Sequence, residues 1–255
     1  MTKFCLEAGI NHFGSIKEAN KILNYYLNSK FDKLTYMLHT DNFYNNQKKK
    51  NINFILSKKF YKKAIKRCHA KNKKIGIAIC SLKTFKELIN LRFDFYKVLS
   101  VAIDNYDLIK SLKKKRKPIF ISLGIKATDN KIQNCLRHLK KKKINLLHTP
   151  MTYNLNELNF SRIDYIKKKF KLPVGYSNHN NDKETLNLLN FYNPSDIFIY
   201  CKPTKKKNRL YPDNDHAFYF DELDKIIDNY TKYSRILLKP KKIKKIKIFK
   251  NEFKF

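Results

Sequence analysis

A carboxylate, a lysine, several hydroxyls and several imidazoles recur in this chain where short apolar runs give way to polar residues. Glu7 lies in the first run and is followed by Gly9, Asn11, His12 and Gly14; Lys97 and Ser100 come with the fourth, Ser122 and Gly124 with the fifth. His148 closes the sixth, and Ser177, Asn178 and His179 follow the seventh. If these ends converge, they surround one opening with a cation, hydroxyls, a carboxylate and imidazoles. That set suits a substrate carrying phosphate and carboxylate groups. Each residue also has a plainer use. Glu7 and Lys97 could pair in the interior, because an ionised carboxylate at a strand end needs a partner in either case. His12 and His148 read first as structural histidines.

These positions matter only if a repeat brings them together. Runs rich in β-branched and aromatic residues occupy 4–8, 33–38, 74–79, 95–99, 119–122, 145–148, 173–176 and 197–201. Segments with helical spacing separate them, at 16–29, 58–71, 84–91, 106–114, 130–142, 159–170 and 183–190, with a last helix near 220–230. Eight strand–helix units in about 200 residues predict an α/β fold of the (β/α)8 TIM-barrel type, with a doubly wound open sheet as the alternative. In such a barrel function gathers at the C-terminal ends of the strands, where the polar residues above fall. The basic runs 113–117 and 140–143 immediately precede the fifth and sixth strands, so they belong to the opposite face.

Composition narrows the partners. The chain has 255 residues and a net charge of +35, which by itself points to a polyanion. Yet lysine, asparagine and isoleucine are abundant throughout while only 5 glycines and no tryptophan occur, the mark of codon drift spread over every exposed face. We therefore expect no specific nucleic-acid partner. Five widely spaced cysteines without a CxxC pair indicate reduced thiols. No apolar stretch approaches the ~20 residues of a membrane span. A cytoplasmic protein is expected. The stretch after residue 234 alternates base and apolar residue and is expected to be a loosely held basic tail, 235–255, behind a barrel domain of 1–234.

Several runs together resemble the barrel domain of the N-acetylneuraminate (sialic acid) synthase family. The stretch from Glu7 to Ser15, EAGINHFGS, is similar to that family's opening motif, and LPVGYSNH ending at His179 to its strand-seven motif. FYKVLS around Lys97, KPIFISLG around Ser122 and LLH ending at His148 fall between them in the family's order, and DNDH ending at His216 resembles its later Asp-His pair. The resemblance implies a cytoplasmic transferase of carbohydrate biosynthesis that condenses phosphoenolpyruvate with an N-acylated hexosamine, acting as a homodimer. It implies a divalent metal, manganese or magnesium, that polarises the aldehyde. On this resemblance Lys97, Ser100 and Ser122 hold phosphate and carboxylate, Glu7 shuttles a proton or binds sugar hydroxyls, and Asn11, Tyr153 and Ser177 line the site. His179 is a metal ligand and Asp215 faces the sugar.

The chain also departs from that pattern. Thr35 or a neighbour stands where the family has a phosphate-binding lysine, and Asn178 where it usually has an aspartate. The family's second metal histidine, after strand eight, has no counterpart, and Lys202 falls near its place. The family's small C-terminal antifreeze-like domain is absent from the chain. A site weakened in metal and in phosphate binding follows, with a non-catalytic sugar- or phosphate-binding barrel as the alternative and a basic nucleic-acid-binding protein as a third reading.

Overall fold

In the computed structural model, residues 1–50, 52–139, 143–205 and 210–237 are described. The strands β1 (Lys3–Gly9), β2 (Lys33–Leu38), β3 (Lys74–Ile79), β4 (Phe95–Val98), β5 (Ile119–Leu123), β6 (Ile144–His148), β7 (Val174–Ser177) and β8 (Asp196–Lys202) run parallel in sequence order. β1 pairs with β2 on one side and with β8 on the other, so the sheet closes. The α/β barrel is thus the fold, and the open-sheet alternative falls away. A short β9 (Phe218–Tyr219) adds to the end of β8.

The outer layer consists of α1 (Ile16–Asn28), α2 (Asp41–Lys49), α3 (Lys58–Ala70), α4 (Leu82–Phe85), α5 (Tyr106–Lys114), α6 (Asp129–Arg137), α7 (Ser161–Phe170), α8 (Thr185–Leu188) and α9 (Phe220–Ile236). Their starts follow from capping chemistry. Ser15, Thr40, Ser57 and Thr128 each offer a side-chain oxygen to a backbone N–H of the first turn. The buried stripes of Ile22, Leu23, Tyr26 and Leu27 in α1, and of Phe60, Tyr61, Ala64, Ile65 and Cys68 in α3, then seat these helices on the sheet.

Three expected helices are shorter than their periodicity suggested. The segment 84–91 becomes α4 followed by a 3-10 turn at Lys86–Leu88, and 183–190 becomes α8 followed by a 3-10 turn at Leu189–Phe191. The helix drawn over 130–142 ends at Arg137, and 140–142 lie outside the described residues. In the other direction, α9 continues through Ile236, past the expected boundary at 234, while the tail from 238 onward also lies outside the described residues.

The barrel interior is layered. Cys5, Phe95, Phe120, Leu147 and Phe198 form a buried apolar plug. Toward the N-terminal ends of the strands, Lys33 pairs with Asp196; toward the C-terminal ends, Lys97 pairs with Glu7. The plug separates two buried ion pairs, each at one end. Gly9 adopts φ +51°, and a β-carbon there would lie 2.2 Å from Asp213 Oδ2. Glycine at this position lets the backbone approach the protein's own Asp213 carboxylate closely.

Candidate active site

Glu7 leaves β1, Lys97 leaves β4 and Ser177 ends β7, and all three point into the C-terminal layer of the barrel, where each is at most 2% exposed. Lys97 Nζ donates to both Glu7 oxygens at 2.6 and 2.8 Å and to Ser177 Oγ at 3.0 Å. Ser177 in turn donates to Glu7 Oε2 at 3.2 Å. An ammonium has three protons to give, so every donor of Lys97 is committed inside the protein. Its charge also sits 4.9 Å from the Phe198 ring. The interior pairing of Glu7 with Lys97 is therefore realised, and an anion can reach Lys97 only by displacing Ser177 or Glu7.

Ser122 lies in the barrel wall with its buried Oγ lacking a hydrogen-bond partner. Ser100 is half-buried against Gly124, its Oγ 3.9 Å from Met151 Sδ. Thr35, beside Glu7 in the β1–β2 register, is buried and gives its hydroxyl proton to the Tyr36 carbonyl. Asn11 is fully buried with both ends of its amide engaged: Nδ2 donates to the Cys201 carbonyl at 2.9 Å, and Oδ1 accepts from Asp213 N–H at 2.9 Å. It fastens the loop after β1 to β8 and to the loop that follows β8.

That last loop also brings Asp213 and His216 to the site, two residues of the DNDH run to which the resemblance assigns no role. His216 places its ring 4.9 Å from His179 and 4.8 Å from Tyr200. Asp213 lies beneath it, Oδ1 3.8 Å from His216 Nε2, with Oδ2 buried and unpartnered. Burial pushes the Asp213 carboxyl up to about 7, Glu7 adding to the rise while a hydrogen bond from the Ile10 backbone and the charge of Lys97 oppose it. Burial also lowers His216 to about 4 and holds His179 well below the ordinary histidine range. Both imidazoles are neutral. His179 Nδ1 sits 3.2 Å from the Ser177 carbonyl, which fixes the ring and leaves Nε2 toward the site. The signal for this pair was present in DNDH: apolar Tyr211, Ala217 and Phe218 flank the motif and turn Asp213 and His216 inward, leaving Asp215 exposed.

Tyr153 is exposed, with its hydroxyl 3.5 Å from His216 Nδ1. It joins Asp215, Lys202, Asn214 and Tyr219 around an open cavity of about 880 Å³. Lys202 points its ammonium to the Asn214 carbonyl at 3.0 Å and over the Tyr219 ring at 4.6 Å. Tyr153 on the cavity rim, His216, His179, Ser177 and Lys97 thus form a chain of contacts running from the cavity into the barrel.

The donor set does not fit a catalytic divalent ion. Among the described residues no three His, Cys, Asp or Glu side chains gather as a metal group would need. Lys202, an ammonium, occupies the neighbourhood where a second imidazole was expected, and two neutral imidazoles with the one carboxyl of Asp213, raised to about 7, offer too few ionised oxygen donors for manganese or magnesium. His12 and His148 serve the fold. His12 Nδ1 accepts from Gly14 N–H at 3.0 Å, and His148 Nε2 lies 2.7 Å from the Leu158 carbonyl.

A closed parallel barrel whose charged and polar side chains gather at the C-terminal ends of its strands defines a (β/α)8 barrel protein. The chain belongs to the NeuB family, whose model matches residues 15–242. It is 30% identical over 207 residues to the N,N'-diacetyllegionaminic acid synthase of Campylobacter jejuni, a match covering 70% of this chain and 60% of that protein. The chain thus spans less than two thirds of that relative's length. Among solved structures, the N-acetylneuraminic acid synthetase of Leptospira borgpetersenii matches with a TM-score of 0.83 at 22% identity, covering 94% of this chain and 88% of the other. A spore coat polysaccharide biosynthesis protein of Bacillus subtilis matches at 0.79 and 18% identity, covering 92% and 69%. At these identities the structural likenesses speak to the fold.

Proposed function

We propose that this chain is a divergent sugar-acid synthase that condenses phosphoenolpyruvate with an N-acylated hexosamine, slowly and without a tightly held metal. The observation that carries this reading is the Glu7–Lys97–Ser177 cluster at the C-terminal mouth of a NeuB-family barrel, joined through His179 and His216 to an open cavity. In the reaction, C3 of the enol bonds to the aldehyde carbon, the aldehyde oxygen takes a proton, water adds at C2, and phosphate leaves with its bridging oxygen to give a 2-keto acid. Lys97 supplies positive charge for the anionic partner once Ser177 yields. Asp213, whose carboxyl is raised to about 7, supplies the proton that the aldehyde oxygen takes as the carbon–carbon bond forms.

Charge stabilisation in this site is thin. Thr35 gives a hydroxyl committed to backbone where an ammonium would face phosphate, and Lys202 offers one charge with no open coordination position. The spent donors of Lys97 also favour a second reading, a barrel that binds sugar or phosphate without turnover. The two separate in one experiment. Release of inorganic phosphate from phosphoenolpyruvate that requires N-acetylmannosamine or another N-acylated hexosamine supports the synthase; stabilisation of the fold by either compound with no phosphate release supports the binder.

A further inference from the structure

The two ends of the barrel differ in charge. Among the described residues, the connections from each α-helix into β2 to β8 carry ten Lys or Arg against three Asp or Glu, whereas those leaving β1 to β8 for the next helix or for β9 carry three against six. Adding by sequence alone the six bases at 140–142, 206, 207 and 209 makes the ratios thirteen to three and six to six. Bases also cover the outer helices, but at the two ends of the barrel the loops are not loaded alike. Two of the three acids at the basic end, Asp32 and Asp94, are engaged with the backbone amides of Phe4 and Ile75. At that end Lys113, Arg116, Lys117 and Lys143 also ring a hollow of about 310 Å³ with an apolar floor of Ile119, Leu139 and Ile144.

An apolar surface adjoins the same end. Tyr230 of α9 meets Thr2, just before β1, at 2.9 Å between hydroxyls, and the helix continues to Ile236, about 9 Å further at 1.5 Å per residue. There Leu188, Phe191, Tyr233, Ile236 and Leu237, each at least 41% exposed, line a second hollow of about 310 Å³. Exposed apolar side chains in contact with one another mark an interaction surface more often than scattered ones do.

We infer that the N-terminal end of the barrel docks on an anionic membrane surface. The lysines and arginines meet anionic headgroups, and the exposed end of α9 with Phe191 enters the boundary between headgroup and acyl chain. A nucleic acid would use the charge and leave the apolar hollows unserved. A second copy meeting the first through this end would bring like charges together.

Co-sedimentation of the full chain with phosphatidylcholine vesicles, with and without phosphatidylglycerol, tests this. Binding is expected only to the anionic vesicles and is expected to weaken as salt rises. Arg116→Gln with Lys117→Gln should weaken it roughly fivefold for each charge removed, and Phe191→Ser with Ile236→Ser on the order of tenfold or more. All four side chains are exposed, and unfolding midpoints equal to the parent's keep a loss from being a folding defect. Equal binding to neutral vesicles would overturn the inference, as would affinity unchanged in both double variants, which would place it elsewhere in the chain. Tighter binding to duplex DNA at equal phosphate, or a dimer in sedimentation velocity that Phe191→Ser abolishes, would assign the surface to another partner.

Discussion

Lys97 and Glu7, ninety residues apart in sequence and on opposite walls of the barrel, meet at 2.6 and 2.8 Å with their charges almost wholly out of water. Each residue is tolerable there only because of the other. Lys97→Ala leaves a buried carboxylate without a cation and is expected to cost about 3–5 kcal/mol of stability. Lys97→Met combined with Glu7→Gln removes both charges and should cost far less. Urea unfolding of Lys97→Met, Glu7→Gln and the double variant gives the coupling, and additive losses would show that the pair is not coupled as the geometry requires.

Much of this is legible in the amino-acid sequence itself. The strand ends carrying Glu7, Lys97, Ser122 and Ser177 were found from apolar runs of β-branched and aromatic residues, because burial on both faces leaves a strand little freedom in composition. The short helices α4 and α8 were overdrawn because apolar spacing persists through the 3-10 turns that follow them. α2 is not legible in the chain, since DNFYNNQKK is strongly polar and buries only Tyr44. Asp213 and His216 reach the site by a loop path after β8, and no period in the sequence reports where a loop folds back.

The Asp213 carboxyl gives the protein a pH signature. Its value in the folded state, about 7, lies above the ordinary 3.8, so the folded state holds a proton that the unfolded state has already lost between those values. Stability from this group is present below pH 4 and is lost as pH rises toward and through 7. Asp213→Asn, which stays neutral, should match the parent near pH 4 and exceed it increasingly up to pH 8, by a few kcal/mol. Denaturation midpoints for both proteins across that range check the sign, and a variant less stable than the parent at pH 8 would contradict it.

His12 is expected to remain neutral well into acid. Burial lowers it to about 3, and acceptance of the Gly14 N–H by Nδ1 puts its proton on Nε2. Nitrogen-15 shifts of the imidazole at pH 5 should report a single neutral tautomer protonated at Nε2. A charged ring at that pH would mean that the loop after β1 is open to water.

Metal affinity should be weak. With Lys202 near the place of a second imidazole, titration of the full chain with manganese is expected to show far weaker binding than a site with a full set of strong ligands, and Lys202→His should strengthen it. Manganese that survives dialysis against a chelator in the unaltered chain would reveal a ligand set not seen here.

The most direct test of the account is the rate of phosphate release from phosphoenolpyruvate with N-acetylmannosamine, measured in parallel with manganese and with a chelator. The predicted result is slow release that requires the sugar, falls well below the ~10 s⁻¹ typical of enzymes, and is similar in the two conditions. Rapid release that depends on manganese would contradict the metal-poor, closed site described for Glu7, Lys97, His179 and Asp213.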